Sequence, residues 1–527
     1  TRVEHVMYQD VSFFGQGITP YKYDGTDFTK QGVDRAVSTM TAASNGAGNL
    51  EGSYSYKFAY VNSFSAIGDL SAAAITFLAT STGSQIDLSS ISTAQQSQGV
   101  ASRAIYRTDN DGSTYKLIAT ISDNSTTTYT DNIASSAAGA SADTDAGLPP
   151  DWRFAITFQD RLFCVEDGAE PSYVYYSNLG NPFIFASTSF VKVNRSDGEK
   201  ITGLGVHGNS LIIYKENSVW ALYMPSTTDT TWVLIKTNSK YGCGSHRSIV
   251  DFGGSQIYLG LRNTKLTGFY GLMGSINEPA AQNLISSSLF GDDKSDRIED
   301  DIFEFQESYG ANTDGIEYKN KVYFAVTHGT GNTTNNRIYV YDFHRRTSKG
   351  KQGEIVAAWV PWTGLTISMF TIYDGKLYGG SSVAEGFVYQ LEDGTYTDSG
   401  SAIDSFMWTK EFDENSADKD YEKDFRTGHF EVENTGDWNM GIRHRTDSEA
   451  SSGNEVKINL KAGANNWGTM LWENDEWQTG VNRQNVKVTL KGSRGKRIQF
   501  RFDNQNTANN WFKVIRGRFY YNRRGLR

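Results

Sequence analysis

Two cysteines in 527 residues, Cys164 and Cys243, are too few for a disulfide framework. They form no CxxC pair and have no zinc-site spacing, so both are expected as small buried hydrophobes. Proline is scarce as well, at 8 residues. No run of ~18 apolar residues occurs, which excludes a membrane-spanning helix. The first ten residues, TRVEHVMYQD, are charged and polar and do not read as a signal peptide. Net positive charge is also missing. The formal balance is −10, which argues against a general nucleic-acid binder but permits a surface past which DNA slides without sticking.

Aromatic residues and glycine are plentiful: 29 Tyr, 29 Phe, 11 Trp and 52 Gly. Aromatic side chains suit pleated, half-buried surfaces, and glycine supplies the turns between them. The composition is that of an all-β protein.

One pattern returns along the middle of the chain. ITGLGVHGNSLIIYKENSVWAL (201–222) reads as two short strands around Gly208-Asn209. FAITFQDRLFCVED turns at Gln159-Asp160, SIVDFGGSQIYLGL at Gly253-Gly254, GIEYKNKVYFAVTH at Lys319-Asn320 and MFTIYDGKLYGGS at Asp374-Gly375. A repeat of about 50 residues with four short strands is the signature of a β-propeller. One such sheet cannot cover both its faces, and radial stacking of neighbours does so while leaving few open edges. Five blades lie in this span, and the strands before residue 31 offer a sixth. Between them, YSYKFAYVNSF alternates with period two and ASRAIYRTDNDGSTYKLIATI turns at Asp111-Gly112, as in a small β-sandwich.

The expected organisation is N-terminal strands over 1–45, belonging to the propeller, and an inserted sandwich over 46–148. Propeller blades follow over 149–398, then a C-terminal β-sandwich over 399–527. SDRIEDDIFEFQES interrupts the repeat with helical spacing and predicts a short helix with Ile298, Ile302 and Phe303 on one side.

Chemistry-bearing motifs are weak. YRTDNDGSTYK is similar to the Asp box of sialidases, but Asn110 stands at the aspartate position. DNDG lacks the later ligands of a calcium loop. YGCGSHRS groups Cys243, Ser245 and His246 with no identifiable third member. The histidines show no HxH or HxxxH pair, so no metal and no cofactor are expected. Acidic runs are abundant, at Asp292–Glu304 and Glu411–Asp424, and read first as solvated faces. From residue 479 onward thirteen basic residues accompany a single acid, Asp503. Its members Arg494, Lys496, Arg497, Arg516, Arg518, Arg523 and Arg524 form a candidate interface for an acidic neighbour, including another copy of the chain.

QDRLFCVEDGAEPSYVYYSNLGNPFIF, followed by VNRSDGEKITGLGVHGNSLIIYKENSVWAL, resembles the propeller of the nozzle, or tail-tube-tip, proteins of short-tailed bacteriophages. The match runs through Tyr176–Pro182, Ile201–Leu204 and Tyr214–Trp220. GSYSYKFAYVNSFSAIGDLSAAA and its continuation resemble the fibronectin-type-III-like insertion of the same proteins, and GRFYYNRRGLR resembles their C-termini. The resemblance implies a virion structural protein without enzymatic activity. It implies a homo-oligomeric ring, six subunits being expected, that encircles the exit channel for double-stranded DNA. An adaptor or hub protein and tail fibres are the implied partners. On this reading acids such as Asp292, Asp293, Asp296, Asp300 and Asp301 line the passage and repel phosphate. The alternative is a phage receptor-binding or glycan-acting propeller of the sialidase or lyase kind.

Overall fold

The computed structural model describes residues 3–524 apart from 38–39, 73, 167, 169, 275, 278–285, 288, 296–297, 350–353, 385, 396, 399, 413–420, 434, 436–437, 448–454, 461–482, 491–492 and 506–511. Its contacts divide the chain into two units, Thr1–Leu391 and Glu392–Arg527.

The first unit contains a six-bladed β-propeller. Blade 1 is Glu4–Tyr8, Val11–Gly15, Tyr21–Tyr23 and Phe28–Lys30, paired in that order. Blade 2 is Trp152–Phe158, Arg161–Glu166, Tyr173–Tyr176 and Phe190–Lys192. Blade 3 is Ile201–His207, Ser210–Lys215, Val219–Tyr223 and Val233–Lys236. In blade 4, Gly242–Cys243 and Val250–Phe252 both pair with Ser255–Arg262, which is followed by Lys265–Met273 and Phe290–Asp293. Blade 5 is Asp314–Tyr318, Lys321–Val326, Arg337–Lys349 and Glu354–Thr363. Blade 6 has Ile367–Tyr373, Lys376–Ser381 and Val388–Leu391.

Each blade begins with a two-residue hairpin, and the turn chemistry explains why. Strands with a right-handed twist are joined without splay by turns whose central residues have positive φ. Gln159 and Asp160 sit at φ 45° and 52°, Lys319 and Asn320 at 50° and 58°, and Asp374 and Gly375 at 50° and 68°. Gln9 and Asp10, at 46° and 64°, do the same in blade 1. It is the same Gln-Asp pair as in blade 2.

Cores lie between the blades. Phe13 of blade 1 shares a core with Trp152 and Leu162 of blade 2. Phe163 and Val174 meet Leu204 and Leu211 of blade 3, and Ile212 and Tyr214 meet Tyr258 of blade 4. Leu259 and Phe269 meet Val322 and Phe324 of blade 5, and Tyr323 and Ile338 meet Ile367 and Leu377 of blade 6. Each fully buried aliphatic or aromatic side chain contributes about 1.5–3 kcal/mol relative to exposure. Trp152 is the largest of them. Its Nε1 donates to Gln31 Oε1 at 2.8 Å, and Gly15 leaves room for its ring, which an added Cβ would meet at 2.2 Å.

The inserted sandwich has two sheets. Lys116–Ile121, Val100–Arg107, Leu50–Asn62 and Ile75–Ser84 form one, and Tyr129–Asp131, Ile86–Ser89 and Thr41–Ser44 the other. Its polar centre is an ion pair between Arg107 and Asp131 at 2.7 Å, both buried, with Tyr56 donating to the same carboxylate oxygen at 2.8 Å. Asn110 in the Asp-box-like turn accepts from the Ser53 amide at 2.8 Å, a fastening role within the sandwich.

The second unit is also a sandwich. One sheet is Phe406–Trp408, Ile498–Asp503, Asn439–Thr446 and Val456–Asn459. In the other, Lys423–Glu433 pairs with Arg483–Thr489, Arg494–Gly495 and Val514–Arg523. Phe430, Val432, Met440, Ile442, Phe500 and Phe502 fill the space between them.

The helix expected near residue 300 is shorter than its periodicity suggests, spanning Glu299–Ile302. Ile302 packs into the core between blades 4 and 5 with Ile298 beside it, whereas Phe303 is 79% exposed. One turn is too short to bring all three residues to a single face.

Candidate functional site

The first strands of successive blades run beside one another around the propeller axis. Residues 243–249 of blade 4 sit among them. Arg247 donates from Nε to Glu4 of blade 1 at 2.7 Å and from Nη2 to the Val3 carbonyl at 2.5 Å. The His246 ring stacks on Phe154 of blade 2 with centroids 4.6 Å apart, and its Nδ1 accepts from the Leu204 amide of blade 3 at 3.3 Å. Ser245 Oγ donates to the carbonyl of Thr313, next to blade 5, at 2.8 Å. The glycines of YGCGSHRS make this closeness feasible: a Cβ on Gly242 would lie 2.0 Å from the Lys215 carbonyl oxygen.

The electrostatics fit a packed hub. Burial, with Arg247 and Arg153 adding to it, pushes His246 down to about 3. Burial pushes the Cys243 thiol up to about 12. Cys243 Sγ donates to the Ser245 carbonyl at 3.0 Å, and the imidazole faces Phe154 instead of the thiol. Cys243, Ser245 and His246 are adjacent in sequence but form no nucleophile–base pair here. Cys164 is likewise buried in blade 2, and its thiol is raised by burial and by Glu166.

Four of the acids expected to line a passage, Asp292, Asp293, Asp300 and Asp301, lie among the described residues. Asp292 and Asp293 belong to the outermost strand of blade 4. Asp292 pairs with Lys294, and Asp293 accepts from the Ser295 amide and hydroxyl at 2.8 Å. Asp301 is 3.9 Å from Arg337, and Asp300 is exposed. Asp296 lies outside the described residues.

Part of the basic C-terminal charge is paired inside its own unit. Arg497 pairs with Glu411 at 3.2 Å, Arg516 with Glu431 at 3.5 Å and Arg524 with Asp424 at 3.9 Å. Arg523 lies 3.6 Å over the Tyr421 ring. The Arg494 carbonyl accepts from Thr446, and the Lys496 amide donates to Asp447 at 2.8 Å. Arg518 is exposed, and in register it falls opposite His429, which has Lys487 on its other side. Strand pairing brings acids far away in sequence onto the tail, which charge counting along the chain does not register. Asp413, Glu414, Asp418 and Asp420 of the second acidic run lie outside the described residues, as do Lys491 and Arg527.

Sequence reasoning missed a cleft of about 640 Å³ between blade 1 and the inserted sandwich, where Lys22, Asp24 and Thr29 meet Ser63 and Asn124. Asp24-Gly25 was legible only as a turn. Among the described residues no cluster of His, Cys, Asp and Glu could hold a metal, and no helix is long and apolar enough to cross a membrane.

No family model and no curated protein matches the chain. Solved structures do align with it. A candidate 6-phosphogluconolactonase from Bacteroides uniformis is 9% identical with a TM-score of 0.26, covering 65% of this chain and 96% of that one. An exo-β-1,3-galactanase from Phanerochaete chrysosporium, solved with β-1,3-galactotriose, is 9% identical with a TM-score of 0.19, covering 98% and 95%. A β-fructofuranosidase from Bombyx mori is 10% identical with a TM-score of 0.21, covering 82% and 87%. At these values the likeness concerns the fold. The described neighbours are nevertheless enzymes, so the expectation that this chain lacks enzymatic activity is withdrawn.

Proposed function

We propose that the chain is a structural subunit of a short-tailed phage tail, assembling through copies of itself into a ring around the DNA exit channel. The observation that carries this reading is the tied-off propeller axis. The 243–249 segment bonds or packs against blades 1, 2, 3 and 5, so the propeller acts as a solid wedge instead of a tube. Any bore then has to lie between subunits. The ordered resemblance over most of the sequence supports the same assignment, with an adaptor protein and fibres as docking partners. The net charge of −10 suits a wall that lets phosphate pass.

The test is native mass by mass photometry together with duplex-DNA retention at low and high salt. The expected result is a multiple of 58.5 kDa, six copies being the leading number, with weak DNA retention. A monomer at every concentration that also holds duplex DNA tightly in a salt-dependent manner overturns the proposal.

A further inference from the structure

The cleft between blade 1 and the sandwich is lined by polar groups, of which Asn124 is bonded to the Ala94 backbone and Asp24 Oδ1 to the Thr26 and Asp27 amides, while others keep hydrogen-bonding capacity. Thr29, on the fourth strand of blade 1, is only 6% exposed, and its Oγ1 has no hydrogen-bond partner among the described residues. A buried hydroxyl without a partner is costly and calls for one. Lys22, on the neighbouring strand, is 1% exposed. Its ammonium lies 3.6 Å from Asp24 Oδ2 and 4.7 Å from the centre of the Phe64 ring. Asp24 engages at most one of the ammonium's three donors, and among the described residues no other hydrogen-bond acceptor is found for it. Asp24 and Asp27 add acceptors, Ser63 and Ser97 add hydroxyls, and Phe28 contributes aromatic surface.

The mixture selects a ligand class. Two carboxylates beside one ammonium disfavour a phosphate or another anion. Donors, acceptors and hydroxyls around an aromatic edge match a molecule that offers many hydroxyls and apolar C–H faces. The volume lies within the range of small-ligand sites.

We propose that this cleft binds a neutral oligosaccharide, with Thr29 and Lys22 donating to sugar oxygens and Asp24 accepting from sugar hydroxyls. The site is independent of ring assembly, so it stands or falls apart from the reading above.

The experiment applies the full chain to an array of neutral and anionic oligosaccharides, then measures the best-retained glycan by calorimetry. Thr29→Val keeps the side-chain shape and removes the hydroxyl. Ser63→Trp, at an exposed position, fills the cleft without touching the core. The expected result is retention of a neutral glycan, weakened at least fivefold by Thr29→Val and abolished by Ser63→Trp. Thermal melting confirms that both variants are folded. Retention of no glycan, retention of anionic glycans alone, or unchanged binding by folded Ser63→Trp overturns the proposal.

Discussion

Arg247 and Glu4, 243 positions apart in sequence, meet at 2.7 Å and fasten blade 4 to blade 1. The flanking contact from Arg247 to the Val3 carbonyl ties the beginning of the chain into the same clasp. Both side chains are mostly shielded from solvent, at 13% and 20% exposure, so their charge-assisted bond is worth more than a surface pair. Arg247→Met is therefore expected to cost about 1.5–3 kcal/mol. Hydrogen exchange should report it first as faster opening of Glu4–Tyr8, with the 392–527 unit unchanged. A double-mutant cycle with Glu4→Gln should return a coupling of similar size, and additivity of the two variants would deny the clasp.

His246 gives the hub an acid sensitivity whose sign follows from its lowered pKa. Folded, it titrates at about 3, against an ordinary value of 6.5. Between those values the unfolded chain binds the proton and the folded chain does not, so stability rises with pH through this window. The contribution is complete above 6.5 and is lost as pH falls toward 3. His246→Asn retains an acceptor for the Leu204 amide and removes the titration. Thermal melting from pH 7 to pH 4 should fall less steeply in the variant than in the parent. Parallel slopes would exclude His246 as the source.

The Arg107–Asp131 pair predicts a large local effect. Asp131→Ala leaves a guanidinium buried without its counter-charge and removes the acceptor of Tyr56. Loss of one partner of a buried pair costs about 3–5 kcal/mol. Limited proteolysis should then cut within 41–131 well before the propeller blades.

The blade 5 turn offers a gain. Lys319 and Asn320 both hold positive φ, which favours Asn-Gly at these two positions. Replacing the pair by Lys319→Asn with Asn320→Gly should stabilise the hairpin by about 0.5–1 kcal/mol. Chemical denaturation would show this as a higher midpoint with an unchanged slope.

The propeller was legible because its blades are built from local signals. Alternating strands around turns such as Asp374-Gly375 carry their geometry within a dozen residues. Blade 1 was harder to read because the inserted sandwich separates its Gln9-Asp10 turn from the identical Gln159-Asp160 turn of blade 2, which breaks the spacing of the repeat. The hub was read as a cheap motif, since nothing local tells that His246 will face Phe154 and Leu204. The charge balance of the C-terminal unit was also hidden: Arg516 meets Glu431, 85 positions away, only after two strands pair. The cleft depends on how a sandwich loop at Ser63 approaches Thr29, which no stretch of sequence records.

The two thiols carry a practical consequence. Cys164 and Cys243 are sealed inside and held protonated, so the covalent skeleton stays the same in reducing and oxidising media. A reporter dye aimed at a newly introduced surface cysteine would therefore meet no competition from the native pair, and the molecule is ready for one-site fluorescence without first being stripped of its own sulfur.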